Sequence, residues 1–131
     1  MTNIGVYEGG CHCGAVRFEV ALPEAIEVEE CNCSICAKSG NIHVIVPASR
    51  FTLLQGEDML TRYTFNTGAA QHLFCKICGV KSYYIPRSNP DGVAVTWRCL
   101  DAWEQFEVTV NAFDGQNWEA NAGTLADKSK D

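Results

Sequence analysis

Long apolar runs are missing from this 131-residue chain: no stretch of 18 apolar residues occurs, so no membrane-spanning helix is expected. Positive charge is scarce, with 10 Lys and Arg against 16 Asp and Glu and a net charge of −6. That balance excludes a broad cationic surface for nucleic acid. Residues 1–10 hold neither a basic region nor an apolar h-region, so no secretory signal is expected and a cytoplasmic location follows. There is no Pro/Ser-rich linker, no repeat of 20–50 residues, and no helical stripe of ten residues or more. What remains is one domain of ordinary size, with 47% apolar residues to build its core. The only tail-like stretch is polar residues 119–131, expected to be frayed or loosely docked.

Between the ends the apolar pattern has period two, which predicts half-buried strands. Val16, Phe18 and Val20 alternate with Arg17 and Glu19, and Ile26 and Val28 with Glu27 and Glu29. Ile42 to Val46 is an apolar run stopped by Pro47, and Phe51 to Leu54 ends at Gln55-Gly56. Further strands are expected around Thr61-Tyr63-Phe65, Lys81 to Ile85, Val93 to Cys99, and Phe106-Val108-Val110. Turn signals at Leu22-Pro23, Gly56-Glu57-Asp58, Asn66-Thr67-Gly68, Asn89-Pro90-Asp91-Gly92 and Asp114-Gly115 separate them. Ser34 to Ser39 has room for one helical turn. The expected class is mainly β, with eight to ten short strands.

Eight cysteines are the surplus in this composition, and their spacing is more informative than their number. Cys11-His12-Cys13 is a C-x-C followed by Gly14, and Cys75-Lys76-Ile77-Cys78 is a C-x-x-C followed by Gly79. Thiolates one or two residues apart can reach one metal from a tight turn. The following glycine lets the backbone fold back, so that amides point at the sulfurs. These four cysteines are therefore expected to meet as one closed, structural zinc site. Cys31-Asn32-Cys33-Ser34-Ile35-Cys36 offers three thiolates within six residues, the donor number of a catalytic zinc with an open position. Cys99 is either a fourth ligand that closes this second site or a core thiol on its strand. Disulfides are disfavoured because near neighbours such as Cys11 and Cys13 bridge badly and the cytosol is reducing. Thioredoxin-like chemistry at Cys75 and Cys78 lacks its βαβ context.

Taken together, Gly10-Cys11-His12-Cys13-Gly14-Ala15-Val16-Arg17-Phe18, Cys31-Asn32-Cys33-Ser34-Ile35-Cys36, Phe74-Cys75-Lys76-Ile77-Cys78-Gly79-Val80 and Arg98-Cys99-Leu100-Asp101 resemble the glutathione-dependent formaldehyde-activating enzyme family. That family is also called the centromere protein V family. Tyr84-Ile85-Pro86-Arg87-Ser88-Asn89-Pro90-Asp91-Gly92 is similar to its centromere-protein-V-like branch. The resemblance covers residues 5–118. It implies a β-tent of short antiparallel strands with two zincs. Cys11, Cys13, Cys75 and Cys78 then match the structural site, Cys31, Cys33 and Cys36 the catalytic one, and Cys99 a cysteine outside the usual ligands. The implied activity joins glutathione to formaldehyde to give S-(hydroxymethyl)glutathione, a carbon–sulfur lyase reaction in reverse.

Glutathione is anionic and so is the chain, so local cations must receive the substrate carboxylates. Lys38, just past Cys36, is the best placed, ahead of Arg62, Arg87 and Arg98. His12 is expected to face solvent, and His43 and His72 to be hydrogen-bonded structural residues rather than general bases. Trp97, Trp103 and Trp118 are read as core or cleft wall. Three exposed thiols could lose their zinc, or oxidise at Cys33–Cys36. The rival to an enzyme is a zinc-stabilised, non-catalytic binding module for a protein or small thiol.

Overall fold

The computed structural model describes residues 4–65, 68–114 and 125–129. The turn residues Asn66, Thr67 and Gly115, and Trp118, lie outside them, as do residues 119–124, 130 and 131 of the expected tail. Ten strands are found among the described residues: β1 Ile4–Gly10, β2 Arg17–Pro23, β3 Ala25–Cys31, β4 Ile42–Pro47, β5 Phe51–Gln55, β6 Leu60–Tyr63, β7 Gln71–Cys75, β8 Tyr83–Ile85, β9 Gly92–Thr96 and β10 Glu107–Phe113. A single α-helix among them, α1 Ser34–Ser39, fills the place reserved for one helical turn. Gly40 ends it in the left-handed region (φ +65°).

The strands form a three-stranded sheet, β1-β2-β5, and a seven-stranded sheet, β10-β3-β4-β9-β8-β7-β6. The core lies between them. Alternation along β2 turns Phe18, Val20 and Leu22 inward, and none is more than 1% exposed. They belong to one cluster with Val28, Val44, Val46, Tyr83, Val93 and Val95 of the larger sheet. The Phe18 ring lies 5.2 Å from that of Phe51 and 6.2 Å from that of Tyr83. Cys11 and Cys75 are part of the same cluster.

The fold is mainly β, as the period-two pattern leads one to expect, and its sheets are antiparallel, as the family resemblance implies, apart from one pair. Strands β3 and β10 run parallel, in register from Ala25 beside Glu107 to Cys31 beside Phe113. Alternation has the same period in both directions, so it cannot distinguish them. Strands β1 and β7 carry no clear alternation, the first because of its three glycines and the second because it is half-buried on both faces. The strand expected to reach Cys99 stops at Thr96, and Trp97–Cys99 form a 3₁₀ turn instead.

Residues 125–129 are docked, not frayed. Leu125 is buried in a second cluster with Ile45, Tyr84, Ala94 and Phe113. Asn89, fully buried, donates through Nδ2 to the Leu125 carbonyl (2.8 Å) and to Ser129 Oγ (2.9 Å). Ser129 Oγ donates to Asp91 (2.6 Å). Lys128 Nζ lies 3.0 Å from Oε1 of Glu29, a carboxylate only 1% exposed. Burial pushes the Glu29 pKa up, and Lys128 pulls it part of the way back.

A buried charge deprived of its partner is strongly destabilising, less so here because Lys128 is partly exposed. Lys128→Met should lower stability by about 2 kcal/mol near pH 7 in urea denaturation. With its folded pKa raised, Glu29 imposes its penalty above that pKa and loses it as pH falls through it. The deficit of Lys128→Met should therefore shrink on acidification. Adding Glu29→Gln should remove most of it at pH 7, and a double variant no more stable than the single one would contradict this account.

Candidate functional site

Two cysteine clusters are assembled. In each, cysteine Sγ atoms lie within 4.8 Å of one another: Cys11, Cys13, Cys75 and Cys78 in one, Cys31, Cys33 and Cys36 in the other. The first joins the β1–β2 turn of the small sheet to the β7–β8 turn of the large one. The two turns repeat one construction. Gly14 N–H donates to the Cys11 carbonyl (3.3 Å) and Cys11 N–H to Val16 (3.1 Å). Gly79 N–H donates to the Cys75 carbonyl (2.8 Å) and Cys75 N–H to Val80 (3.1 Å). Gly14 and Gly79 have φ of +83° and +76°, the left-handed conformation that closes such a turn. The folded-back amides reach the sulfurs: Val16 N–H to Cys11 Sγ at 3.3 Å and Ile77 N–H to Cys75 Sγ at 3.4 Å. Backbone hydrogen bonds, first from Val80 and then at Cys13, bring the Cys78 thiol down to about 6.

The sulfur spacing can be compared with that around a metal. A tetrahedral zinc with arms of about 2.3 Å separates its sulfurs by about 3.8 Å. Cys11 and Cys13 are 3.7 Å apart, and Cys13 and Cys75 3.6 Å. The donor set fits a four-coordinate thiolate metal.

The second cluster is built by the end of β3 and the start of α1, with Cys33 as the helix N-cap. Cys33 N–H donates to Cys31 Sγ (3.4 Å). Cys36 is buried, whereas Cys31 and Cys33 are half-buried. Hydrogen bonds from Cys31, then Cys36, hold the Cys33 thiol down at about 2. The contact with Cys33 pushes the Cys31 thiol up, against a lowering by Cys36, and contacts first with Cys31 and then with Cys33 push Cys36 up. Three thiolates this close repel one another and call for a cation.

Cys99 belongs to neither cluster. It is half-buried, and its thiol is raised to about 11, first by burial and then by the charges of Cys11 and Cys78. It therefore stands beside the first cluster, and the fourth position of the second is left without a protein sulfur among the described residues.

That second cluster opens on a cleft of about 520 Å³ lined by Glu30, Cys31, Asn32, Cys36, Asn41, Ile42, Phe113 and Asp114, among others. No Lys or Arg is in its described lining. Asn32 Nδ2 donates to Asp114 Oδ1 (3.1 Å), tying the end of β3 to the end of β10. Behind Cys36 lies a buried polar network. The Tyr84 hydroxyl is 3.9 Å from Cys36 Sγ and 3.3 Å from His43 Nδ1. His43 Nδ1 is 2.9 Å from Asn41 Oδ1. Lys81 Nζ lies 3.2 Å from His72 Nδ1 and 4.5 Å from the centre of the Tyr84 ring.

Lys38 is exposed in the last turn of α1, outside the cleft lining. His12 is exposed, and His43 and His72 are buried and hydrogen-bonded. Arg62 donates to Gln71 Oε1 (3.2 Å). Arg98 lies over the Trp97 and Trp103 rings, at 5.1 and 5.7 Å. Arg87 is half-buried. Sequence reasoning singled out neither Tyr84, Lys81 nor Asn41. Nothing local marks them, because their roles come from β4, β8 and β9 lying side by side.

Comparison with known proteins gives concordant matches. The sequence model of the family described as glutathione-dependent formaldehyde-activating enzyme matches residues 6–116. A protein of Halomonas elongata named "Putative glutathione-dependent formaldehyde-activating enzyme" is 56% identical over 32 residues, which are 24% of this chain. The matched segment spans 20% of that relative's length. A crystal structure of a Rhodobacter sphaeroides protein superposes with a TM-score of 0.66 at 34% identity, covering 72% of this chain and 88% of the other.

Burial first, and the nearby Lys81 charge second, bring the His43 and His72 pKa values down to about 4. Both rings should stay neutral from pH 8 to 5.5 in a nitrogen-correlated NMR titration. A midpoint near 6.5 for either would mean that water reaches it.

Proposed function

The chain belongs to the glutathione-dependent formaldehyde-activating enzyme family, and from that membership we propose that it is a zinc enzyme joining a small thiol, glutathione in the first instance, to formaldehyde. The observation that carries this reading is the three-cysteine cluster with no fourth protein sulfur, facing a cleft. Residues 5–118 form the zinc-binding domain, with 119–131 as a polar tail. Cys11, Cys13, Cys75 and Cys78 hold a structural zinc, and Cys31, Cys33 and Cys36 the catalytic one. Eight free cysteines suit a reducing, cytoplasmic setting. No helix among the described residues is long and apolar enough to cross a membrane. The charge balance argues against a nucleic-acid partner.

Cys31, Cys33 and Cys36 would hold the zinc ion, which would supply the positive charge that favours the ionised form of a substrate thiol. The chain's own groups shape the rest. In this reading the substrate thiol enters the cleft lined by Cys31 and Cys36, where Asn32 offers an amide and Phe113 an apolar wall. The thiol gives its proton to solvent water, the thiolate sulfur attacks the formaldehyde carbon, the carbon–oxygen π pair moves to oxygen, and oxygen takes one proton back from solvent to give the S-hydroxymethyl product. Lys38, outside the lining but on the same short helix as Cys36, is the cation proposed to meet a substrate carboxylate at the cleft mouth.

Purified protein should carry two zincs per chain and speed the loss of free formaldehyde only when glutathione is present. Cys33→Ser should retain one zinc, keep the fold, and lose the acceleration by at least about a hundredfold. Cys75→Ser should lose the cooperative unfolding transition itself. No acceleration over buffer with the fully loaded protein would reject the enzyme reading.

A further inference from the structure

Three thiolates on a divalent cation leave the second site with a net charge of −1 in a half-buried setting, and such a charge needs a partner. Lys81 is the candidate that geometry offers. Among the described residues no carboxylate pairs with it. Its ammonium donates to His72 Nδ1 (3.2 Å) and sits over the Tyr84 ring (4.5 Å). Lys81 is half-buried, and these two partners are neutral, so a negative charge close by would make up for its lost hydration. Burial lowers its pKa, and the Cys36 and Cys33 charges oppose that shift.

The orientation of Tyr84 follows from a hydrogen-bond chain with a fixed direction. The Lys81 carbonyl can only accept, so the Thr96 hydroxyl donates to it (2.7 Å). Thr96 Oγ1 then accepts from Asn41 Nδ2 (2.9 Å), which turns Asn41 Oδ1 toward His43. Neutral His43 donates to that oxygen through Nδ1 (2.9 Å), and its Nε2 carries no proton. The Tyr84 hydroxyl proton is left with two acceptors, His43 Nε2 at 3.5 Å and Cys36 Sγ at 3.9 Å. An ionised sulfur is the stronger acceptor of the two.

We propose that Tyr84 and Lys81 are positioning residues of the three-cysteine site, the Tyr84 hydroxyl donating to the Cys36 thiolate and the Lys81 ammonium balancing its excess negative charge. This rests on the reading of that cluster as a zinc site. Outer partners of metal ligands commonly change metal affinity by about 10- to 100-fold. In chelator competition with the two-zinc protein, Lys81→Met should weaken the second zinc by about that factor and leave the first unchanged. Lys81→Arg, which keeps the charge, should recover most of the loss. Tyr84→Phe should act in the same direction. In the cobalt-loaded protein it should also shift the sulfur-to-metal charge-transfer band to longer wavelength, because a sulfur that loses a hydrogen bond gives up its electron more easily. Two zincs with an unmoved second affinity in Lys81→Met would overturn this proposal alone. So would an arginine variant no better than methionine, or equal weakening of both zincs. A wild-type chain that takes up a single zinc would overturn the parent reading and this proposal with it.

Discussion

The convergence of four sulfurs from two distant turns is the constraint on which the rest of this molecule depends. Cys11 and Cys13 sit where the small sheet turns, and Cys75 and Cys78 where β7 leaves the large one. Bringing them within 4.8 Å fixes how the two sheets approach and closes the core between them. Cys11 and Cys75 are 6% and 0% exposed, so the cluster is continuous with the apolar core. The backbone cooperates at close quarters. A Cβ on Gly10 would lie 2.1 Å from the Val16 carbonyl oxygen, so the strand entering the first turn tolerates no side chain there. A domain of this size has a limited core, and a metal held at this seam would couple ion binding directly to folding.

The second cluster obeys a different logic. Its three sulfurs come from one short segment, so they gather without help from the sheet packing. Tertiary structure adds the surroundings instead. The parallel β3–β10 pair puts Phe113 and Asp114 beside Cys31 and Asn32, which makes one wall of the cleft. On the other side, β4, β8 and β9 supply His43, Tyr84 and Thr96 as a buried polar network behind Cys36. The docked residues 125–129 reach the same neighbourhood, because Leu125 packs in one cluster with Tyr84 and Phe113, and Cys31 packs against it. Glu29, which holds Lys128, lies two residues before Cys31 on β3. Packing of the chain end and the shape of the cleft thus share one set of side chains.

The expected meeting of the first cysteine cluster with the last is seen in the fold, and the three clusters themselves were legible in the sequence because ligand spacing is a local property. So were the two glycine-closed turns, since Gly14 and Gly79 adopt the positive φ their positions call for. Most strands were legible too, Phe18, Val20 and Leu22 being buried where alternation put them. The glycine-rich β1 and the doubly half-buried β7 were not, because each lacks the contrast between faces that alternation reads.

Sequence alone determined that this chain is β-rich and carries a C-x-C, a C-x-C-x-x-C and a C-x-x-C, since those patterns are written in adjacent residues, whereas the meeting of the first with the last is a property of the fold. Only the tertiary structure decided where Cys99 goes, placing it beside the first group and leaving the second open. Only the tertiary structure, likewise, brought Tyr84 to the back of Cys36 with Lys81 over its ring, and ran β10 parallel to β3. The physical reason is the same each time. These are contacts between strands far apart in the chain, set by sheet order and register, and the local residue pattern carries no record of either.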